Sequence, residues 1–298
     1  VVAGQQSERE LVLPKDAHVV ASKLGFVEGP VLLPSGDVAL VSVNRGEVYQ
    51  VALDGSDPTR VVETGGGPNC VALDRDGSLW ITQNGGTAMP SRSALPVVPS
   101  IQRFDATGKL DVIVHSGLNA PSDCVMAQDG KLWFTDPAGH AISGDAEPGS
   151  VRVFDPHDGS VETALDGLLF PNGLAFGSAA DVLYVAETAR GVVRRYRVHG
   201  PALSWDGWEV AVPGAAPDGI ALDSEGWLWV AGSHGDNIVA FDATGTIRAE
   251  YGFGRGVLVT SLCFAGDELR TLVVTIAKGG TVVAVDAPNP GLPLPVWR

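Results

Sequence analysis

Short apolar runs alternate with polar turns along the whole chain, and no segment carries a long helical period. Residues 69–73 are a short apolar run, Asp74-Arg75-Asp76-Gly77 has the composition of a tight turn, and 78–83 (Ser-Leu-Trp-Ile-Thr-Gln) is rich in aromatic and β-branched residues. Those side chains suit a pleated, half-buried surface, so a second strand is predicted there. A third strand at 101–105 and a fourth at 110–115, joined by the turn 106–109, complete a four-stranded antiparallel unit. The unit recurs at 132–135, 151–155 and 161–165, and again at 227–230, 238–242 and 246–250.

One polar residue marks the same point of each repeat: Glu28, Asn69, Ser122, Asn172, Asp218 and Ser261. A turn glycine follows four of them eight residues on, at Gly36, Gly77, Gly130 and Gly226. The markers lie 41 to 53 residues apart, and a period near this length with several short strands per unit is that of a propeller blade. The expectation is an all-β, six-bladed β-propeller forming a single domain over 1–298, with blades starting near 28, 69, 122, 172, 218 and 261. The sixth repeat supplies only three strands, at 262–264, 272–276 and 281–286. An unpaired edge there would expose backbone groups, so the orphan segment 17–22 is predicted to close the ring as the missing strand. Rotational repetition then brings the six markers together at one end of a central channel.

If each marker sits at the upper end of an innermost strand, the loops between second and third strands lie on the same face. Two of these, 84–100 and 137–150, are much longer than a hairpin needs. The first carries Met89, Pro90, Leu95, Pro96, Val97, Val98 and Pro99, which predicts a lid facing an organic substrate. The ends of second strands add Asn44, Asn84, His140, Glu187, His234 and Lys278 to that face, mostly as solvated rim residues, with His140 and His234 able to relay protons near neutral pH.

Composition narrows the partners. A net charge of −15 with no basic run argues against nucleic acid and anionic membrane surfaces. No apolar stretch reaches membrane-spanning length, and a cytoplasmic location is expected, although a chain beginning without methionine is also compatible with a removed leader. Cys70, Cys124 and Cys263 each follow a marker by one or two residues, inside predicted inner strands, and are expected to be buried free thiols. The sequence does not fix an oligomeric state.

The converging residues suggest chemistry. Glu28 and Asp218 offer two carboxylates and Asn172 an amide oxygen, with no Cys or His among the markers. Carboxylates forced together raise one another's pKa unless a cation intervenes, and an oxygen-only set suits a hard divalent ion. The plainer alternative is a polar lining that merely hydrates the channel of a binding scaffold.

The phrases Glu-Gly-Pro, Pro-Asn-Gly-Leu-Ala, Pro-Asp-Gly-Ile-Ala-Leu-Asp and Leu-Trp-Phe-Thr-Asp-Pro resemble the SMP-30/gluconolactonase/luciferin-regenerating family of six-bladed propellers, from about Leu24 to Asp286. The resemblance implies a divalent metal, most often Ca2+ with Zn2+, Mg2+ or Mn2+ as alternatives, on Glu28, Asn172 and Asp218. It also implies hydrolysis of a small-molecule lactone, with Asp218 as general base or nucleophile. Where the family commonly has Asn-Asp, this chain has Ser122-Asp123, so Ser122 is a weaker candidate ligand and strand alternation points Asp123 elsewhere unless it reorients. Asn69, Ser122, Asp123, His140, Glu187 and His234 are the candidate substrate contacts. A phosphotriesterase or arylesterase on the same metal site, a non-catalytic propeller, and a metal-free propeller resembling strictosidine synthase are the competing readings.

Overall fold

The computed structural model of the protein describes residues 10–142, 145–214 and 216–297. The extreme ends of the one-domain reading, 1–9 and 298, and positions 143–144 of the loop 137–150, lie outside the described residues.

Six four-stranded antiparallel sheets follow one another along the chain. Their innermost strands are Val27–Leu32, Pro68–Leu73, Cys124–Met126, Pro171–Phe176, Pro217–Leu222 and Val259–Ala265, each packed against the next and the last against the first. That closed circuit is the six-bladed β-propeller expected from the repeat. The sixth sheet is completed by His18–Ala21, which pairs with Thr281–Asp286 through His18 opposite Ala284, Val19 opposite Val283 and Ala21 opposite Val282. The chain's N-terminal part thereby closes the ring.

Burial falls from the axis outward. The innermost strand Pro68–Leu73 and its neighbour Leu79–Gln83 are buried at every position, whereas the outermost strand Leu110–Val114 is exposed or half-buried throughout. The core accordingly lies between blades. Six apolar clusters each join two neighbours, for example Trp133, Val151 and Val153 of the third blade with Leu174, Phe176 and Leu183 of the fourth, and Val273 and Val282 of the sixth with Val27 and Leu40 of the first.

The turn below each innermost strand is set locally. Gly77 N–H donates to Asp74 O at 3.1 Å, and Trp80 Nε1 donates to Asp74 Oδ2 at 2.8 Å. The fifth blade repeats this with Trp229 Nε1 and Asp223 Oδ2 at 3.1 Å. Cys70, Cys124 and Cys263 are free and buried, and burial pushes the Cys263 thiol up to about 12. No helix among the described residues is long and apolar enough to cross a membrane.

Candidate metal centre

The ladder between innermost and second strand slips at or beside the marker in five blades: between Glu28 and Val31, Pro68 and Cys70, Pro171 and Leu174, Pro217 and Ile220, and Val259 and Ser261. A bulge of this kind frees a residue from the pleat and re-aims its side chain. In the third blade the regular ladder begins only at Cys124, below Ser122 and Asp123. The backbone there departs from simple alternation where chemistry needs several side chains to face one axis.

The register corrects the sixth marker. Thr82 Oγ1 donates to Cys70 O, Thr135 Oγ1 to Asp123 O and Thr275 Oγ1 to Ser261 O, so Cys70, Asp123 and Ser261 are equivalent. The residue level with Asn69 and Ser122 is therefore Thr260, and Ser261 lies one step further down the channel. Thr260 Oγ1 donates to Val27 O at 2.8 Å across the closing interface.

The amide and hydroxyl markers form a directed chain of hydrogen bonds around the channel mouth. Asn84 Nδ2 donates to Asn69 Oδ1 at 3.2 Å, Asn69 Nδ2 to Ser122 Oγ at 3.2 Å, and Ser122 Oγ to Asn172 Oδ1 at 3.2 Å. Asn172 Nδ2 then donates to Thr188 Oγ1 at 3.1 Å, whose hydroxyl donates to Pro217 O at 2.7 Å. Asn172 thus accepts from Ser122 through its carbonyl oxygen, while its NH2 donates to Thr188 and also reaches Asp218. The Ser122 hydroxyl bridges two amides.

The acidic side of the mouth has a different character. Glu28 is buried, and its nearest hydrogen bond comes from Gly29 N–H at 3.2 Å. Burial first, then the charges of Asp218 and Asp123, hold its carboxyl well above the ordinary range. Asp218 is partly open to the channel and accepts from Ser233 Oγ on Oδ2 at 2.6 Å. Desolvation and the Asp123 charge raise its pKa, while hydrogen bonds from Ser233 and Asn172 oppose the rise. Asp123 points into the channel after all: it is buried, its Oδ1 has no hydrogen-bond partner, and burial pushes it up to about 7. Among the described residues, no Lys, Arg or His forms an ion pair with any of these three carboxylates.

Crowded carboxylates without a countercharge, beside an oriented amide oxygen, fit a hard cation. No group of three His, Cys, Asp or Glu among the described residues is placed to hold an ion by itself. The fitting set is mixed: Glu28, Asp218 and the Asn172 amide oxygen.

The remaining candidates separate. His140 meets Phe170 edge-on, with ring centroids 5.2 Å apart, and its buried Nε2 has no partner; burial lowers its pKa. Phe170, at φ 51°, leads directly into Pro171-Asn172, so His140 stands beside the innermost strand that carries Asn172. Glu187 is fully buried, with its oxygens on Arg190 Nε at 2.7 Å, Arg194 Nη1 at 2.9 Å and Leu169 N–H at 2.9 Å. Its carboxylate ties the fourth blade to the outermost strand of the third. His234 is exposed, while its neighbour Ser233 reaches Asp218. Ser233 and Thr188, unmarked in the sequence reading, are adjacent to the second-strand ends that did attract notice, one residue away on each side.

The loop 84–100 leans outward over the first blade. Arg92 N–H donates to Asn44 O at 2.7 Å and Ser93 Oγ to Glu63 Oε1 at 3.0 Å. Leu95 and Val98 remain 48% and 56% exposed, while Met89 packs against the apolar cluster between the first two blades.

Residues 24–278 match the family described as SMP-30/Gluconolactonase/LRE-like region. Pentonolactonase XacC of Haloferax volcanii is 34% identical over 153 residues, covering 48% of this chain and 52% of the relative. The chain spans about half the length of the first curated relatives it matches. Among solved structures, a gluconolactonase from Xanthomonas campestris superposes with a TM-score of 0.73 at 24% identity, covering 91% of this chain and 89% of the other. A calcium-binding protein, regucalcin, from Agrobacterium tumefaciens gives 0.75 at 21% identity, with 94% and 96% covered. The propeller, its ring of markers and the extent of the family match lead to one conclusion: the chain belongs to the SMP-30/gluconolactonase/LRE-like family.

Proposed function

We propose that the protein is a metal-dependent lactonase whose ion, calcium by donor type, is held by Glu28, Asn172 and Asp218. The observation that carries this reading is the meeting of Glu28 and Asp218 with no countercharge in reach. When bound there, a divalent ion supplies Lewis-acid polarisation of the lactone carbonyl and stabilises developing negative charge.

The chain's own residues do the rest. Ser233 holds Asp218 Oδ2 and fixes the orientation of the carboxylate that would take a proton from attacking water. Water adds to the carbonyl carbon, the ring C–O bond breaks, and the former ring oxygen takes a proton to give a hydroxy acid. Asn69, Ser122, Asn84 and Thr188 surround the mouth with amides and hydroxyls, a lining suited to a lactone that itself carries hydroxyl groups. The relatives named pentonolactonase and gluconolactonase point to the same substrate class.

The test is hydrolysis of pentono- and gluconolactones, followed by acid release, in chelated, calcium-restored and Asp218→Asn protein with ion occupancy measured. Chelation should abolish turnover and calcium restore it. Ion-loaded Asp218→Asn should be slower by about 10²- to 10⁴-fold, the usual loss on removing a general base. Full activity in the chelated protein would remove the metal from the reaction; full activity in ion-loaded Asp218→Asn would remove Asp218.

A further inference from the structure

We propose that Asp123 sets the charge of the cation site from beneath it, acting through space as a third carboxylate; the inference deepens the metal reading above. The register places Asp123 one step below the marker ring, level with Gly29, Cys70, Gly173, Gly219 and Ser261. At three of these positions a side chain has no room: a Cβ on Gly29 would meet the Cys70 backbone, one on Gly173 the Asp218 carbonyl, and one on Gly219 the Ser261 side chain. The third blade alone puts a charge into this tight layer.

Three observations indicate that the charge faces the ion. Asp123 is only 6% exposed, yet its Oδ1 finds no hydrogen-bond partner. Its charge bears on both Glu28 and Asp218, from blades on the other sides of the channel. Below it lies a cavity of about 140 Å3 in which Asp123 is the one charged residue among those lining the wall, the others including Val31, Met126, Leu174 and Leu262. An unpaired carboxylate over apolar walls is costly to bury, so a favourable field from above is the compensation available to it.

Ligation by Asp123 is not required. The absence, among described residues, of three acidic, His or Cys groups spaced to hold an ion agrees with action at a distance. Two ligand carboxylates neutralise a divalent ion, and a third leaves an excess negative charge that favours cations of higher valence. Coulomb energy scales with the product of charges, so removal of one negative charge weakens a trivalent ion half as much again, on a logarithmic scale, as a divalent one.

The experiment is calorimetric titration of the parent, Asp123→Asn and Glu28→Gln proteins with Ca2+ and La3+, alongside melting curves of the ion-free proteins. If Asp123→Asn weakens Ca2+ by about tenfold, La3+ should weaken by about thirtyfold, from the 2:3 ratio of charges. The ion-free variant should melt no lower than the parent, since a repulsive charge has been removed. Equal losses for the two ions, or a lowered ion-free melting point, would make Asp123 merely structural and overturn the proposal. Unchanged affinities for both ions in Asp123→Asn, with Glu28→Gln impaired, would overturn this proposal alone. A parent that binds neither ion would overturn the metal reading itself.

Discussion

The two ends of the channel are built from the same six strands and behave as opposites. At the upper end Glu28, Asp218 and Asp123 crowd together with raised proton affinity, and amides and hydroxyls are oriented in a chain. A few residues down, the wall is Val31, Ala72, Met126, Leu174, Ile220 and Leu262. The C-terminal segment closes that lower end. Ser224 N–H donates to Pro290 O at 2.7 Å, Gly291 N–H to Leu269 O at 2.8 Å and Leu292 N–H to Leu222 O at 3.0 Å, while Arg75 Nε reaches Val296 O at 3.3 Å. Leu292 and Leu294 pack against inter-blade clusters and Val296 belongs to one. The lower end is satisfied by the protein, whereas at the upper end Asp123 keeps a buried carboxylate oxygen without a hydrogen-bond partner. On the proposed reading, stability and function are separated along one axis by a short length of strand.

Deleting residues 289–298 should break this comparison most severely. Loss of the plug uncovers apolar wall, at a cost on the order of 3 kcal/mol or more. For a chain of this size that corresponds to a fall of roughly 5 °C or more in melting temperature. Calcium affinity at the other end should stay within about twofold of the parent. Circular dichroism melts and calorimetric titration check both; affinity that falls along with stability would show that the ends are not separable.

A smaller effect should appear when the upper end alone is perturbed by pH. Glu28, Asp123 and Asp218 all have folded pKa values raised, chiefly by burial, above those of the unfolded chain. The folded state therefore binds more protons, and stability falls as pH rises. The contribution is complete below the unfolded carboxylate pKa, near 4, and for Asp123 it is lost as pH passes about 7. Chelated protein should melt several degrees lower at pH 8 than at pH 5, roughly 5 °C. Calcium should flatten that slope by compensating the same charges. An equal slope with and without calcium would place the ion elsewhere.

The blades were legible because each strand keeps its own apolar pattern and each turn its own Asp or Gly, and the closing strand followed from the three-stranded sixth repeat. That Glu28 and Asp218 would face one another across the channel followed from the repeat period. Three features were hidden, each for a stated reason. Val259-Thr260-Ser261 offers two hydroxyls in succession, and only the hydrogen bond from Thr275 decides which is level with Asn69. Alternation misdirected Asp123 because the regular ladder of its blade starts below it, at Cys124. Ser233 and Thr188 matter through contacts with neighbouring blades, to Val259 O and Pro217 O, which no local pattern records.

The smallest expected effect sharpens the comparison at the lower end, where the first turn of each blade lies. Four blades place glycine at the last turn position, with φ of 90° at Gly36, 83° at Gly77, 83° at Gly130 and 76° at Gly226. The fourth blade has Ala180 there, at φ 57°, and the turn is kept: Ala180 N–H donates to Gly177 O at 3.1 Å and Gly177 N–H to Val182 O at 3.0 Å. A left-handed conformation costs an L-residue about 1–2 kcal/mol, through the approach of Cβ to the carbonyl oxygen. Glycine avoids that cost but loses more backbone freedom on folding, which returns about 0.4–1 kcal/mol. Strain outweighs entropy, so Ala180→Gly should stabilise by about 0.5 kcal/mol and raise the melting temperature by roughly 1–2 °C. The reverse change, Gly77→Ala, should destabilise by about 1 kcal/mol, because that turn sits further from the conformation alanine tolerates. Lactone hydrolysis and calcium affinity should be unchanged in both variants, because this turn belongs to the end of the propeller away from the ion. Scanning calorimetry with parallel rate measurements decides the matter: a lower melting temperature in Ala180→Gly would mean that entropy, not strain, governs this turn.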